Sequence, residues 1–446
     1  MYKFPKYFYS DVRIEKVFQT AIQNTMGKYD EIKEKEYQGA FLRLYDGERW
    51  YYSSITEIES IQEELDKLAE LARKNRAIDD NPVVKNFEVN VGEYFKFQGD
   101  NSVKKVELQR KKEVLNECIP IISKNEFVKA WRLNYMDKNH VKHFYSSKGA
   151  DLKFDTQICG FRIYYKLANG DKNFEDLFSK AADNFDDLLN SSDEVKKYFN
   201  ASINFLNDSV DVVPGKYPVV LSPEVAGVFA HESFGHKSEA DFMIGDKTMM
   251  KEWEIGKKVG SDILSIVDDG NQPGSGFVPF DDEGTKAAET YLIKNGILSG
   301  RLHSSVTAAS LGESLTGNAR AINFEYEPIV RMTSTYIKPG TKSFEEIIKD
   351  IDKGVYIESF NHGSGMSTFT IAPKMAFMIR DGNIAEPVKI SVITGNVFET
   401  LNLIEDATEE YRLRSMIGGG CGKMEQYPLS VSFGGPFVKI KTMNVQ

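Results

Sequence analysis

The run His231-Glu232-Ser233-Phe234-Gly235-His236 places two imidazoles around a carboxylate. Those residue types can hold a divalent cation and move a proton to and from an attacking water. The spacing carries further information. At about 100° per residue, a step of four along an α-helix leaves two side chains roughly 40° apart, whereas a step of five leaves them about 140° apart. Two histidines five apart cannot share an ion on a regular helix. The spacing therefore predicts a wider π-type turn or a break between them, and Gly235 lowers the barrier to either. A catalytic zinc usually takes three protein ligands and keeps one position open. The chain offers His140, His143, His303, His362, many carboxylates and Cys421 as further donors. Cys421 lies in Gly418-Gly419-Gly420-Cys421-Gly422-Lys423, where small neighbours allow close approach and Lys423 favours the thiolate. We take it as the third ligand. The competing reading of Cys421, a small residue in a glycine turn, stays open on this motif alone. Glu232, adjacent to a ligand, is placed to act as general base and acid.

Ser222-Pro223-Glu224 is a helix start: a hydroxyl cap, proline in the first turn, and an acidic residue at the positive end. Val225, Val228 and Phe229 give that helix a buried face, so the histidines come at the end of a short, packed helix. Upstream, Pro214-Gly215-Lys216-Tyr217-Pro218 is the best candidate boundary, dividing the chain into 1–215 and 216–446. The first part mixes helix and strand signals. Gly39 to Ile55 reads as two strands turning at Asp46-Gly47, and Ile58 to Ala72 as an amphipathic helix. Strand-like runs follow at Phe87 to Phe97, Ala130 to Tyr135 and Gln157 to Leu167, and Glu175 to Phe199 reads helical. The second part is richer in glycine turns. Tyr291 to Lys294, Met332 to Ile337, Thr368 to Ile379 and Val388 to Thr394 read as strands of a mostly antiparallel sheet with a few helices. The fold class expected is α+β.

Composition narrows the function. The 446 residues carry a net charge of -10, and the one dense basic run, Lys104 to Lys112, is local; nucleic acid is not an expected partner. No apolar run is long enough to span a bilayer, and mean hydropathy is -0.39. Pro5 and Lys6 interrupt what would be the apolar part of a signal peptide. Three cysteines are too few for a disulfide scaffold. A cytoplasmic protein is the expectation. Asp268-Asp269-Gly270 and Asp281-Asp282-Glu283-Gly284 read as solvated turn carboxylates rather than Mg²⁺ or Ca²⁺ seats. The glycine run at 418–422 lacks phosphate-loop spacing. His140 and His143 read as surface residues of a polar loop.

The segment Val219 to Asp241 around His231-Glu232-Ser233-Phe234-Gly235-His236 resembles the TldD/PmbA peptidase family. So do, in the same order, Val267-Asp268-Asp269-Gly270, Phe280 to Thr285, Thr316-Gly317-Asn318-Ala319-Arg320 with Arg331 to Tyr336, and Gly419-Gly420-Cys421-Gly422-Lys423. The similarity is clear from about Pro218 onward and weaker before it. It implies an N-terminal α/β domain followed by a β-rich domain, and a dimer enclosing a cavity. It further implies one zinc ion per chain on His231, His236 and Cys421, with Glu232 catalytic, acting on short or unfolded peptides. Asp241 matches a family acidic position and reads as a carboxylate orienting His236. Ser233, Phe234 and Lys237 depart from the usual residues and are expected on the rim of the site, where they would bear on substrate preference. The PmbA-like branch lacks the ligand set and acts as a partner; this chain retains it. A homodimer or a heterodimer with a PmbA-like chain both fit. The alternatives are a non-catalytic partner with a structural metal, and a modulator binding another protein by its sheet edges. Family members have been called modulators of DNA gyrase, which nothing in the charge pattern supports as a direct DNA role.

Overall fold

A computed structural model describes residues 2–365 and 367–446. The first half is an antiparallel sheet built from very long strands: β1 (Tyr9–Thr25), β2 (Lys28–Tyr45), β3 (Trp50–Ile55), β5 (Val128–Ser146), β6 (Asp151–Asn169) and β7 (Lys172–Ala182), with β4 (Val91–Tyr94) alone pairing parallel, to β6. The order is β3-β2-β1-β5-β6, with β4 and β7 both on β6. The expected hairpin is present: β2 and β3 turn at Asp46-Gly47, where the Asp46 carboxylate accepts from the Glu48 and Arg49 amides at 2.9 and 2.8 Å. The helices α1 (Ile61–Leu71), α2 (Leu108–Ser123) and α3 (Ser192–Asp208) cover the sheet. The apolar stripe read at Ile58 to Ala72 is α1, which buries Ile61, Leu65 and Leu68.

Two expectations fail here. Glu175 to Ala182 is strand, not helix; the helix starts only at Ser192. Residues 172–182 pair throughout with residues 159–169 of β6, so Asp176 and Phe178 turn inward at a period of two. A local pattern gave way to ladder pairing. His140 and His143 lie on β5, not in a loop. His140 is buried, with Nε2 2.9 Å from Glu15, and His143 contacts Asp151.

The second half is a larger, mostly antiparallel sheet. Its main strands are β8 (Gly215–Leu221), β9 (Ile266–Asp269), β10 (Glu289–Lys294), β11 (Ser334–Ile337), β12 (Lys353–Ile357), β13 (Phe360–Gly365), β14 (Thr368–Pro373), β15 (Ala376–Arg380), β16 (Asn383–Lys389), β17 (Ile404–Ser415) and β20 (Ser432–Val445). The order β10-β9-β11-β20-β8-β12-β15-β16 runs through its centre. The β11–β20 and β8–β12 joins are parallel. A separate small hairpin joins β18 (Cys421–Lys423) and β19 (Gln426–Leu429). The helix α4 (Pro223–Ala230) lies directly on β20, because Gly227 faces Gly434 with no room for a side chain between them. Val225, Val228 and Phe229 sink into the main apolar core beneath.

The acidic turns are buried, which corrects the solvated reading. Asp268 accepts from the Thr333 amide at 2.9 Å and from the Thr333 and Thr335 hydroxyls at 2.6 and 2.8 Å. Asp281 accepts from the amides of Glu283, Thr285 and Ala319. Glu283 pairs at 2.9 Å with Arg43, which also grips Asp11. Asp282 pairs with Lys142. Carboxylates this deep persist only when hydrogen-bonded or paired; Asp268 and Asp281 tie together loops of the second half, while Asp282 and Glu283 fasten the two sheets to each other.

Candidate metal centre

The Ser222 hydroxyl caps α4 by accepting from the Val225 amide at 3.2 Å. The helix then widens as the five-residue spacing requires. His231–Gly235 form a π turn, closed by the His236 amide donating to the His231 carbonyl, and His236–Ser238 tighten into a 3₁₀ turn. Gly235 abuts the buried Met332 so closely that a β-carbon would collide with its sulfur. Cys421 arrives from the other end of the chain at the start of β18. Its carbonyl accepts from Arg331 Nη2 at 2.8 Å, which anchors the hairpin.

One ligand atom from each of His231, His236 and Cys421 falls within 4.8 Å of the others, and the Cys421 sulfur lies 3.3 Å from His236 Nε2. Burial alone would push the Cys421 thiol up; hydrogen bonds with His231 and His236 outweigh it and hold the thiol at about 5. Burial pulls His236 down, but its hydrogen bonds to Cys421 and Glu239 raise it to about 10. The two shifts share the Cys421–His236 contact, in which thiolate and imidazolium favour each other, and Glu239 adds to the shift of His236. His231 Nδ1 is buried without a hydrogen-bond partner. A thiolate, two imidazoles and an unpartnered ring nitrogen fit a zinc-type cation by softness and number. Glu232, half-buried on the same π turn, is next to this cluster.

The supporting residues differ from expectation. Asp241 does not reach His236; both its oxygens take the Lys423 ammonium at 2.7 Å. The carboxylate behind His236 is Glu239, fully buried, with Oε2 3.2 Å from His236 Nδ1 and 3.0 Å from Lys423. Its position three residues after His236 was a usable signal, since those two side chains share a helical face. Phe234 and Lys237 are not rim residues. Phe234 packs against Trp253 in the core, and Lys237 is buried over Trp253 with Glu252 at 2.9 Å. Ser233 is buried as well. His303 is buried beside Glu313, and His362 is exposed on β13.

Two histidines and a cysteine converge near a carboxylate on a distorted helix end, a donor set of the kind that holds a zinc-type cation. Comparison with known proteins agrees. The model of the PmbA/TldA metallopeptidase C-terminal domain matches residues 214–446, and that of the same family's domain 1 matches residues 10–76. The chain belongs to the PmbA/TldD metallopeptidase family. A Methanocaldococcus jannaschii metalloprotease is 30% identical over 93% of this chain and 92% of its own length. A Saccharolobus solfataricus zinc metalloprotease TldD homolog is 32% identical over 71% of each. The match to a Synechocystis metalloprotease, 42% identical, spans about half of either chain: 53% of this one and 51% of that one. Among solved structures, a Thermotoga maritima protein described as a candidate modulator of a DNA gyrase superposes with a TM-score of 0.78 at 20% identity, covering 98% of this chain and 96% of that one. TldE from Thermococcus kodakarensis gives 0.77 at 16%, covering 98% and 96%. At these identities the two structures speak for the fold alone.

Proposed function

We propose that this chain is a zinc-dependent peptidase acting on short or unfolded peptides, with His231, His236 and Cys421 as ligands and Glu232 as general base and acid. The observation that carries the reading is the meeting of His236 and Cys421, 185 residues apart, at 3.3 Å, with His231 beside them. The name of the S. solfataricus relative supports zinc. Bound zinc would polarise a scissile carbonyl and make water more acidic. Glu232 takes the proton of the attacking water and passes it to the departing amine nitrogen. Glu239 holds the His236 ring in place through Nδ1, and Lys423, itself held by Asp241, braces Glu239.

Strand β13 supplies a place for the substrate. It pairs only with β14 among the described strands, so its other edge is free. Gly363 and Gly365 bring that strand against Glu232 and Ser233. An extended peptide added there would bind through backbone hydrogen bonds, with little demand on its sequence. Membership of the family supports assembly with a second chain of the same kind, which sedimentation with and without such a partner would read.

The deciding experiment is zinc content by elemental analysis together with cleavage of an unfolded peptide pool, wild type beside Cys421→Ala. About one zinc per chain, lost with the cysteine along with cleavage, is the expected result. Zinc indifferent to that substitution would remove Cys421 from the ligand set, and zinc without cleavage would leave a structural metal in a partner subunit.

A further inference from the structure

Between the two sheets lies a cavity of about 80 Å³, lined by Lys138, His140 and Lys142 of β5 and by Arg320, and by none of the three candidate metal ligands. That volume is several times the roughly 10–15 Å³ one water needs. Residues 138, 140 and 142 alternate along β5, so their side chains share one face of the sheet. Glu15 and Arg13 of β1 join them, His140 and Arg13 lying against Glu15 at 2.9 and 2.7 Å. Asp282 comes across from the second sheet to Lys142.

Arg13, Lys138, Lys142 and Arg320 are four cations around the cavity, and Glu15 and Asp282 are the two carboxylates that reach in among them; Asp268 and Cys421, set further back, also offset part of the Arg320 charge. Burial pushes the His140 imidazole down to about 4, so it adds no charge near neutrality. Glu15 is taken by Arg13 and His140, and Asp282 by Lys142. Lys138 has no ion pair or hydrogen bond among the described residues. Among the described residues Arg320, buried, donates only to the carbonyls of Met332 and Ser430. Burial lowers both of these cations, and Arg331 beside Arg320 adds to the strain there. Arg320 is thus held out of water, and Lys138 stands part-exposed at the cavity, with no carboxylate in hydrogen-bond contact with either among the described residues, so a counter-charge between them would be favourable.

We infer that this cavity binds a small anion, a carboxylate or inorganic oxyanion, between Lys138 and Arg320. Carboxylate and phosphate oxygens both suit a cavity lined by an ammonium and a guanidinium. The source is either a free small anion or the terminal carboxylate of a peptide. Pro428, Leu429 and Ser430 line the same cavity, and Leu429 pairs with Cys421, so an anion there touches the hairpin that carries the third candidate ligand.

The test reads stability and does not depend on peptide cleavage, so it fails separately from the peptidase reading. The melting temperature of the zinc-loaded full chain is followed against acetate, inorganic phosphate, and a short peptide as free acid or C-terminal amide, at ionic strength held constant with chloride. Lys138→Gln and Lys138→Arg are run beside wild type. The expected result is a saturable rise in wild type and Lys138→Arg, with half-saturation about tenfold or more weaker in Lys138→Gln. A response to acetate or phosphate identifies a free anion; a response to the peptide acid but to neither small anion nor the amide identifies a peptide terminus. No saturable response to any of them, or the same response in Lys138→Gln, would overturn the site.

Discussion

Glu239 and His236 are joined at 3.2 Å through Nδ1, while the opposite ring nitrogen of His236 faces the Cys421 sulfur. The imidazole is thus held on one edge by a buried carboxylate and offers its other edge to the pocket. Such a carboxylate fixes the tautomer and makes the ring a better donor. Glu239→Gln keeps the shape and removes the charge. Zinc affinity is expected to fall about 10–100-fold, with the fold retained. Competition with a chelator of known affinity, beside circular dichroism, checks it; unchanged affinity would show that Glu239 serves only Lys423.

Glu232 is half-buried next to the ligands and is not among the three that converge. Glu232→Gln should keep about one zinc per chain and lower turnover by about 10²–10⁴-fold, the usual contribution of a general base. Metal analysis and peptide cleavage on the same preparation separate the two effects. Retained turnover would sink the proposed role.

The seating of α4 depends on Gly227. A β-carbon there would run into the Gly434 backbone of β20, which cannot yield as a side chain could. Gly227→Ala should destabilise the protein by about 1–3 kcal/mol and weaken zinc binding with it, since α4 leads directly into His231. Urea unfolding with and without zinc measures both; a variant as stable as wild type would mean the helix has slack that the packing does not show.

His140 supplies a pH dependence away from the metal centre. Its folded value is about 4, below the ordinary histidine value of 6.5, because burial disfavours its charged form. A depressed value means that the unfolded chain binds the extra proton. The stability it contributes is therefore fully present above pH 6.5 and is lost as pH falls through about 4. His140→Gln should flatten the stability curve over that window. Unfolding free energy measured across it for both proteins decides; parallel curves would count against the assignment.

Much of the centre was legible along the chain because it rests on local geometry. A five-residue histidine spacing cannot serve one ion on a regular helix, and the π turn at His231–Gly235 follows from the spacing and from Gly235. The Ser222 cap, the Asp46-Gly47 turn and the α1 stripe are likewise short-range effects. Other features depend on distant residues. Whether Asp241 or Glu239 stands behind His236 turns on Lys423, 182 residues from Asp241, drawing that carboxylate to itself. The acidic turns at Asp268 and at Asp281 to Glu283 look solvated because their partners, Thr333, Arg43 and Lys142, are far away in sequence. Residues 172–182 become strand only because β6 offers them a ladder. Sequence alone named the candidate donor residues and how the backbone must bend to present the two histidines. Tertiary structure decided which charges are buried, and against what, because ion pairing and ladder hydrogen bonds are won by whichever partner the fold brings within about 3 Å.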